Sequence, residues 1–290
     1  MVIPLRDENP THRFPVVTIA LIAINLFVYF AVQMPKDSEP SRVFPGTQYS
    51  AGDDFVFEYA AIPCELEQGE PANLAELGTG ECDAQEQFLN ERADDEPYPG
   101  KDIWLAVVFS MFMHGSILHV LGNMLFLWIF GNNVEDRLGP LGYTVFYLAT
   151  GLAAAAAHIA FNLSSAVPVV GASGAIAGVM GAYIVWFPHA RVLSLVPLFL
   201  FFTFVELPAL VVLGLWFVLQ FFTNPNEGVA WLAHVGGFVA GAAIAFALRG
   251  VLGPPRIGAR RPPPAWGRQW GRRDDDDWDG GFRGGYPGRT

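Results

Sequence analysis

The stretch VPVVGASGAIAGVMGAY, residues 167–183, decides how this chain is read. It is almost wholly apolar and rich in glycine and alanine, with one serine, Ser173, set among small residues. Two readings compete. In one, Ser173 is filler where helices approach closely, since small-xxx-small pairs such as Gly174 with Gly178 serve that purpose. In the other, Ser173 is a functional hydroxyl held inside a membrane. The rest of the chain has to choose between them.

Apolar residues make up 52% of the 290. They come in blocks rather than on amphipathic faces, which excludes an ordinary soluble domain. A helix needs about 20 apolar residues to cross a bilayer. Residues 16–34 carry no charge and read as a first span. A signal peptide fits them less well, because no small-residue cleavage site follows. Further apolar blocks lie at 103–130, 141–163, 169–187, 194–222 and 229–248. The expectation is an all-α polytopic membrane protein.

The formal charge of −11 is concentrated. Residues 35–101 hold 16 acidic and 4 basic side chains, which leaves the rest of the chain near neutrality. Arg6 and Arg13 precede the first span, and Arg249, Arg256, Arg260, Arg261, Arg272 and Arg273 follow the last. The positive-inside rule then places both ends in the cytoplasm, requires an even number of spans and leaves the acidic segment outside. Cys64 and Cys82, the only cysteines, both lie in that segment. In an oxidising compartment they are a candidate disulfide, with two free thiols as the alternative.

Two blocks are too long for one span. In 103–130 the residues His114 to Ser116 interrupt, with glycine weakening a helix and serine suited to an N-cap. An interfacial segment at 103–113 and a second span from Ser116 inward past Phe130 result. The second span ends near GNNVEDRLGP, read as an inner turn. Span 3 covers about 142–162, and span 4 runs inward from about Gly171 to Phe187. In 194–222 Glu206 divides the block, which gives an interfacial 194–205 and a fifth span at about 207–222, with Pro208 in its first turn. Span 6 covers about 230–248. The organisation is a cytoplasmic N-terminus at 1–15, a membrane domain at 16–250 that includes the outer acidic loop 35–101, and a disordered cytoplasmic tail at 251–290.

Spans 2, 4 and 6 all run inward, so their N-terminal ends share one depth near the outer face. Span 2 brings His114, His119 and Asn123, span 4 brings Ser173, and span 6 brings His234. Ionisable residues within spans are costly and usually functional. A serine becomes a nucleophile when a base such as neutral histidine takes its proton. An oxyanion needs donors, and His119 and Asn123, four residues apart, share a helix face. The start of span 4 adds backbone N–H groups. No Asp or Glu lies in spans 4 or 6, so the reading is a Ser–His dyad. The bland alternatives are a packing serine, hydrogen-bonded histidines, or three histidines that hold a metal, although HGSILH is not the H-E-x-x-H pattern. His158 and His189 read as incidental.

The motifs HGSILHVLGN, GNNVEDRLG, GASGAIAG and AHVGGFVAG, in that order, resemble the rhomboid family of intramembrane serine proteases. The resemblance covers roughly residues 12–250 and is weak over 35–100. It implies a six-transmembrane-helix rhomboid fold and cleavage of membrane-anchored proteins near the outer face. It implies Ser173 as nucleophile, His234 as general base and acid, and His119 with Asn123 in the oxyanion hole. His114, Gly171, Glu135 and Arg137 would be supporting residues. It implies no metal or organic cofactor. The expected partners are transmembrane protein substrates and the lipid bilayer, with no nucleic acid. The expected location is a bacterial plasma membrane. A departure stands at Ala177, where many members carry an aromatic that stacks on the histidine, so another group must orient His234. The segment FVFEYAAIP, residues 55–63, either lies on the membrane or covers the site. Two other classes compete: a non-catalytic client-binding relative, which would tend to lose Ser173 or His234, and a histidine-based transporter or metal channel.

Overall fold

The computed structural model describes residues 2–82, 95–198, 201–223 and 229–253. The chain divides into residues 1–256 and 257–290, and the tail assignment for 254–290 lies outside the described residues. Strand β1 (Ile3–Asp7) is followed by helix α1 (Val16–Phe27). The α1 axis continues through a π turn, Val28–Gln33, and a 3₁₀ turn, Met34–Ser38. Three short helices come next: α2 (Ala51–Tyr59), α3 (Pro63–Gln68) and α4 (Leu74–Thr79). Helix α5 (Ile103–Ser110) precedes α6 (Ile117–Ala160) and α7 (Ser173–Trp186). Strands β2 (Arg191–Leu198) and β3 (Phe201–Pro208) lead into α8 (Ala209–Gln220), and α9 (Trp231–Leu252) completes the order.

The protein is therefore mostly helical but not all-α. The described residues of 194–205, read as an interfacial stretch, belong to two antiparallel strands, with Arg191 opposite Pro208 and Leu198 opposite Phe201. Strand β1 adds to the other edge of β2, pairing Ile3 with Leu195 and Asp7 with Val192. The physical reason lies in the residue types. Aromatic and β-branched residues fit a pleated surface, but a continuous apolar run hides the period of two that marks a strand. Glu206 does not break this segment; it sits in β3, where Arg191 donates to it at 3.0 Å.

The inner turn expected at GNNVEDRLGP is also corrected. Helix α6 runs on through these residues and breaks only at Gly139, which has φ 73° and ψ 165°. A left-handed backbone there suits glycine, and Pro140 has no N–H to lose at the start of the second arm. The arms, 117–138 and 140–160, are each about 32 Å long at 1.5 Å per residue, enough for a hydrocarbon core.

Local chemistry sets several helix starts. Asp102 accepts from the N–H groups of Trp104 and Leu105 at 3.1 and 2.9 Å and opens α5. Ser116 accepts from the His119 N–H at 3.2 Å and opens α6. Helix α1 is capped from afar. Glu135 accepts from the N–H groups of Val17 and Thr18 and from the Thr18 hydroxyl, at 2.9, 2.8 and 2.7 Å. A carboxylate at a helix N-terminus meets unpaired N–H groups and the positive end of the dipole. Arg137 donates to the Gly253 carbonyl at 2.6 Å and lies over the Trp186 ring, so the same stretch ties α1, α7 and the end of α9 together.

Helix α7 is the centre of the bundle: every residue from Gly174 to Tyr183 is buried. It packs between α6 and α9, and the main core of Leu127, Phe130, Tyr143, Tyr147, Ile176, Met180 and Tyr183 surrounds it. Outward faces are apolar as well, with Leu118, Leu141, Phe246 and Val251 exposed. A bundle that is apolar inside and out is solvated by lipid. Among the described residues, three helical stretches are long and apolar enough to cross a membrane: Val16–Ser38, Ile117–Ala160 and Trp231–Leu252. Helices α7 and α8 are apolar but shorter.

The described part of the acidic segment builds a small lobe around Phe44, Phe57, Ile62, Leu74 and Leu77. Lys101 and Glu65 pair inside it, with N···O distances of 2.9 and 2.7 Å, and Lys101 also donates to the Phe57 carbonyl. Both side chains are almost fully buried, so the pair pins the lobe to the start of α5.

At the opposite end, Asp7 accepts from the Tyr183 hydroxyl at 2.7 Å and from Asn133 Nδ2 at 2.6 Å. Burial pushes its carboxyl from 3.8 up to about 6, against the opposing pull of the Tyr183 hydrogen bond. A carboxyl with a raised folded pKa holds its proton more tightly folded than unfolded. Its charge therefore destabilises the fold above about 6, and this penalty fades as pH falls toward 4. In detergent, the melting temperature of Asp7→Asn should exceed that of wild type at pH 8, with the gap closing as pH falls through 6. A gap that stays constant from pH 8 to 5 would refute this account.

Candidate active site

Ser173 is the first residue of α7 and His234 lies in the first turn of α9. His234 Nε2 stands 2.9 Å from Ser173 Oγ, within hydrogen-bond reach. The two helices achieve this by backbone contact. A Cβ on Gly237 would strike the Gly174 carbonyl, and one on Gly241 would strike the Gly178 carbonyl. The small-xxx-small pairs of the two helices thus face each other, which is the approach such pairs permit.

The loop before Ser173 is fixed as well. The Gly171 N–H donates to the Ser110 carbonyl at 2.9 Å. Gly171 has φ 128°, a backbone that other residues rarely adopt. A Cβ there would come within 2.9 Å of the His119 ring and 3.4 Å of Ser173 Oγ. The missing side chain leaves room for both the His119 ring and Ser173 Oγ. Ala61 pairs with Val169 in an isolated bridge, and Ser110 Oγ accepts from the Ala61 N–H at 2.7 Å. The segment FVFEYAAIP therefore runs from α2 into the acidic lobe and braces the loop that leads to Ser173. Its Ala60, Ala61 and Ile62 are buried.

Asn123 lies one turn beyond His119 on α6. It is 9% exposed, and its Nδ2 has no hydrogen-bond partner within the protein. A buried amide donor without a partner costs about 1–3 kcal/mol, so this Nδ2 is a donor free to bind an acceptor. His114 is buried with its ring edge-on to His119, the centroids 5.1 Å apart. Its backbone is clasped by Gln33, which donates to the His114 carbonyl at 3.2 Å and accepts from its N–H at 3.0 Å. Glu135 and Arg137 stay apart from this cluster and serve the contacts with α1, α7 and α9 described above. Cys64 and Cys82 are bonded to each other in the lobe, with Cα atoms 5.7 Å apart. Among the described residues, the group of metal-ligand types that converges is Cys64, Glu76 and Cys82, not the histidines.

Sequence reasoning missed two residues at the site. Gln220, 7% exposed at the end of α8, places Oε1 2.7 Å from His234 Nδ1. The Trp216 ring lies 5.7 Å from the His234 ring at an interplanar angle of 42°. Ala177, which departs from the aromatic that the resemblance implies, is fully buried. The signal was a glutamine among apolar residues in LWFVLQFF, the same kind of cue that had marked the histidines.

Apolar helices around a hydrogen-bonded serine and histidine define a class, the membrane proteins with a hydroxyl–imidazole site inside a helix bundle. The Rhomboid domain family profile matches residues 101–251, more than half of the chain. The chain belongs to the rhomboid family. It is similar to the presenilin-associated rhomboid-like protein A, mitochondrial, of Danio rerio, with 30% identity over 54% of this chain and 41% of that protein. It is similar to the rhomboid protease GluP of Bacillus subtilis, with 30% identity over 54% of this chain and 27% of that protein. It is also similar to rhomboid protein 1, mitochondrial, of Saccharomyces cerevisiae, with 32% identity over 32% of this chain and 28% of that protein. The chain thus spans less than half the length of each of these relatives.

Proposed function

We propose that this protein is an intramembrane serine endopeptidase that cleaves membrane-anchored proteins near the outer face. The observation that carries the reading is the 2.9 Å approach of His234 Nε2 to Ser173 Oγ at the start of a buried helix. Similarity to a rhomboid protease supports it. In this reading α1, the two arms of α6, α7, α8 and α9 make six passes. Both termini are cytoplasmic, and the plasma membrane is the site of action. The acidic lobe faces the oxidising side, where a Cys64–Cys82 disulfide is stable.

The chemistry follows from the residues. The Ser173 hydroxyl proton passes to His234 Nε2 as Oγ bonds to the substrate carbonyl carbon. The negative oxygen is met by Asn123 Nδ2, by His119 and by backbone N–H groups at the start of α7. His234 Nε2 returns the proton to the leaving nitrogen as the carbon–nitrogen bond breaks. Water then hydrolyses the acyl-enzyme by the same relay. Its access is eased by α7, which at 14 residues is only about 21 Å long and begins below the surface. His114, held by Gln33, and Gly171 position the donors, while Glu135 and Arg137 hold the helices.

A fluorophosphonate probe tests this reading on purified full-length protein. It should label wild type at Ser173, identified by peptide mapping, and should spare Ser173→Ala. Unlabelled wild type, or equal labelling of Ser173→Ala, would favour a non-catalytic binding protein.

A further inference from the structure

We propose that Gln220 is the positioning residue for His234 and fixes the tautomer that catalysis needs. The inference rests on the protease reading and deepens it. It begins with the glutamine amide. Gln220 Nε2 donates to the Trp216 carbonyl at 3.1 Å, one turn back on α8. A carbonyl oxygen only accepts, so the amide nitrogen must face Trp216. The opposite orientation would set two oxygens against each other. The amide oxygen therefore faces His234 Nδ1 at 2.7 Å.

That oxygen also only accepts, so the imidazole must carry its hydrogen on Nδ1. The lone pair is then on Nε2, the nitrogen 2.9 Å from Ser173 Oγ. The chain runs Trp216 carbonyl, Gln220 amide, His234 ring, Ser173 hydroxyl, with each link setting the direction of the next. When Nε2 gains the Ser173 proton, the ring becomes a cation and the Nδ1–H···O bond strengthens. Gln220 takes no proton at any step. It does the orienting work of a triad's third member with a neutral group, which suits an apolar bundle where a carboxylate is expensive to bury. Gln220 is on α8 and His234 on α9, so this link also fixes the ring from a different helix than its own. The Trp216 ring lies beside the imidazole from the same helix face, four residues from Gln220.

Three measurements test the role. In protein labelled with ¹⁵N-histidine, the His234 signals, assigned by their loss in His234→Ala, should show Nδ1 protonated and Nε2 bare. The opposite tautomer overturns the proposal and needs no Gln220 variant to fold. In Gln220→Leu, fluorophosphonate labelling of Ser173 should slow by about 10- to 100-fold, since a misassigned tautomer undermines general-base catalysis. Wild-type labelling rates in Gln220→Leu overturn it. Gln220→Glu should keep an acceptor at Nδ1 but add charge that favours imidazolium. The acid limb of the labelling-rate profile should then move to higher pH by about one unit or more. A limb unmoved in Gln220→Glu means no contact with the base. Failure of the protease reading is distinct, because it shows in wild type as absent Ser173 labelling. Gln220 then loses its catalytic role whatever the tautomer.

Discussion

Ser173→Ala and His234→Ala are each expected to lower cleavage of a model transmembrane substrate by about 10⁴-fold or more in proteoliposomes, and the double variant should be no worse than Ser173→Ala. The argument is geometric. Among the described residues, the base hydrogen-bonded to Ser173 Oγ is His234 Nε2, at 2.9 Å. Among the described residues of α7 and α9 there is no carboxylate to substitute for it. Without His234 the hydroxyl keeps its proton and is a poor nucleophile. Without Ser173 the histidine has no attacking atom to activate. Groups that act on one proton transfer lose their effects together, so their costs do not add. Additive costs in the double variant would mean that the two side chains act independently, and the dyad would have to be abandoned. Thermal unfolding should barely change in Ser173→Ala, because the one hydrogen bond it loses contributes only about 0.5–1.5 kcal/mol, whereas His234→Ala also loses the bond to Gln220 and should melt somewhat lower. That separates lost chemistry from a lost fold.

Much of the bundle was legible because its signals are local. Asp102 and Ser116 mark helix starts by their own side chains, and Pro208 immediately precedes α8. Gly139 and Pro140 marked a break, though the helix before them outlasts its glycine, asparagines and charges. Those residues are tolerated because Glu135 and Arg137 find partners on other helices. The sheet was not legible. Strands β2 and β3 are one apolar run in sequence, and β1 joins them from nearly 190 residues away. The site was half legible. Polar residues stood out against an apolar background at His119, Asn123, Ser173 and His234. Gln220 stood out equally, but its meaning depends on how α8 ends beside α9, and no residue spacing encodes that. The same limit applies to the glycines. A small-xxx-small pair says that a helix admits a close neighbour; it does not say which.

The structure supplies the neighbour, and with it a second large effect. Gly241→Val and Gly237→Val should each destabilise the protein by more than the roughly 1–3 kcal/mol of ordinary overpacking. At both positions the new Cβ meets backbone: the carbonyl of Gly178 for Gly241, and the carbonyl of Gly174 for Gly237. A side chain can rotate away from a clash, but a helix backbone cannot, so α7 and α9 must separate. Those are the helices that carry Ser173 and His234. A displacement of about 1 Å at a reacting pair is enough to cost on the order of 100-fold in rate. Protein that survives purification should therefore melt at a lower temperature and label slowly with fluorophosphonate, although neither glycine touches the serine. Gly250→Ala on the same α9 is the control. Nothing lies within 4 Å of a Cβ there, and alanine is the better helix former by about 1 kcal/mol, so stability should hold or rise with labelling unchanged. If Gly241→Val matched Gly250→Ala in melting temperature and labelling rate, backbone contact between α7 and α9 would not be what sets the distance from Ser173 to His234.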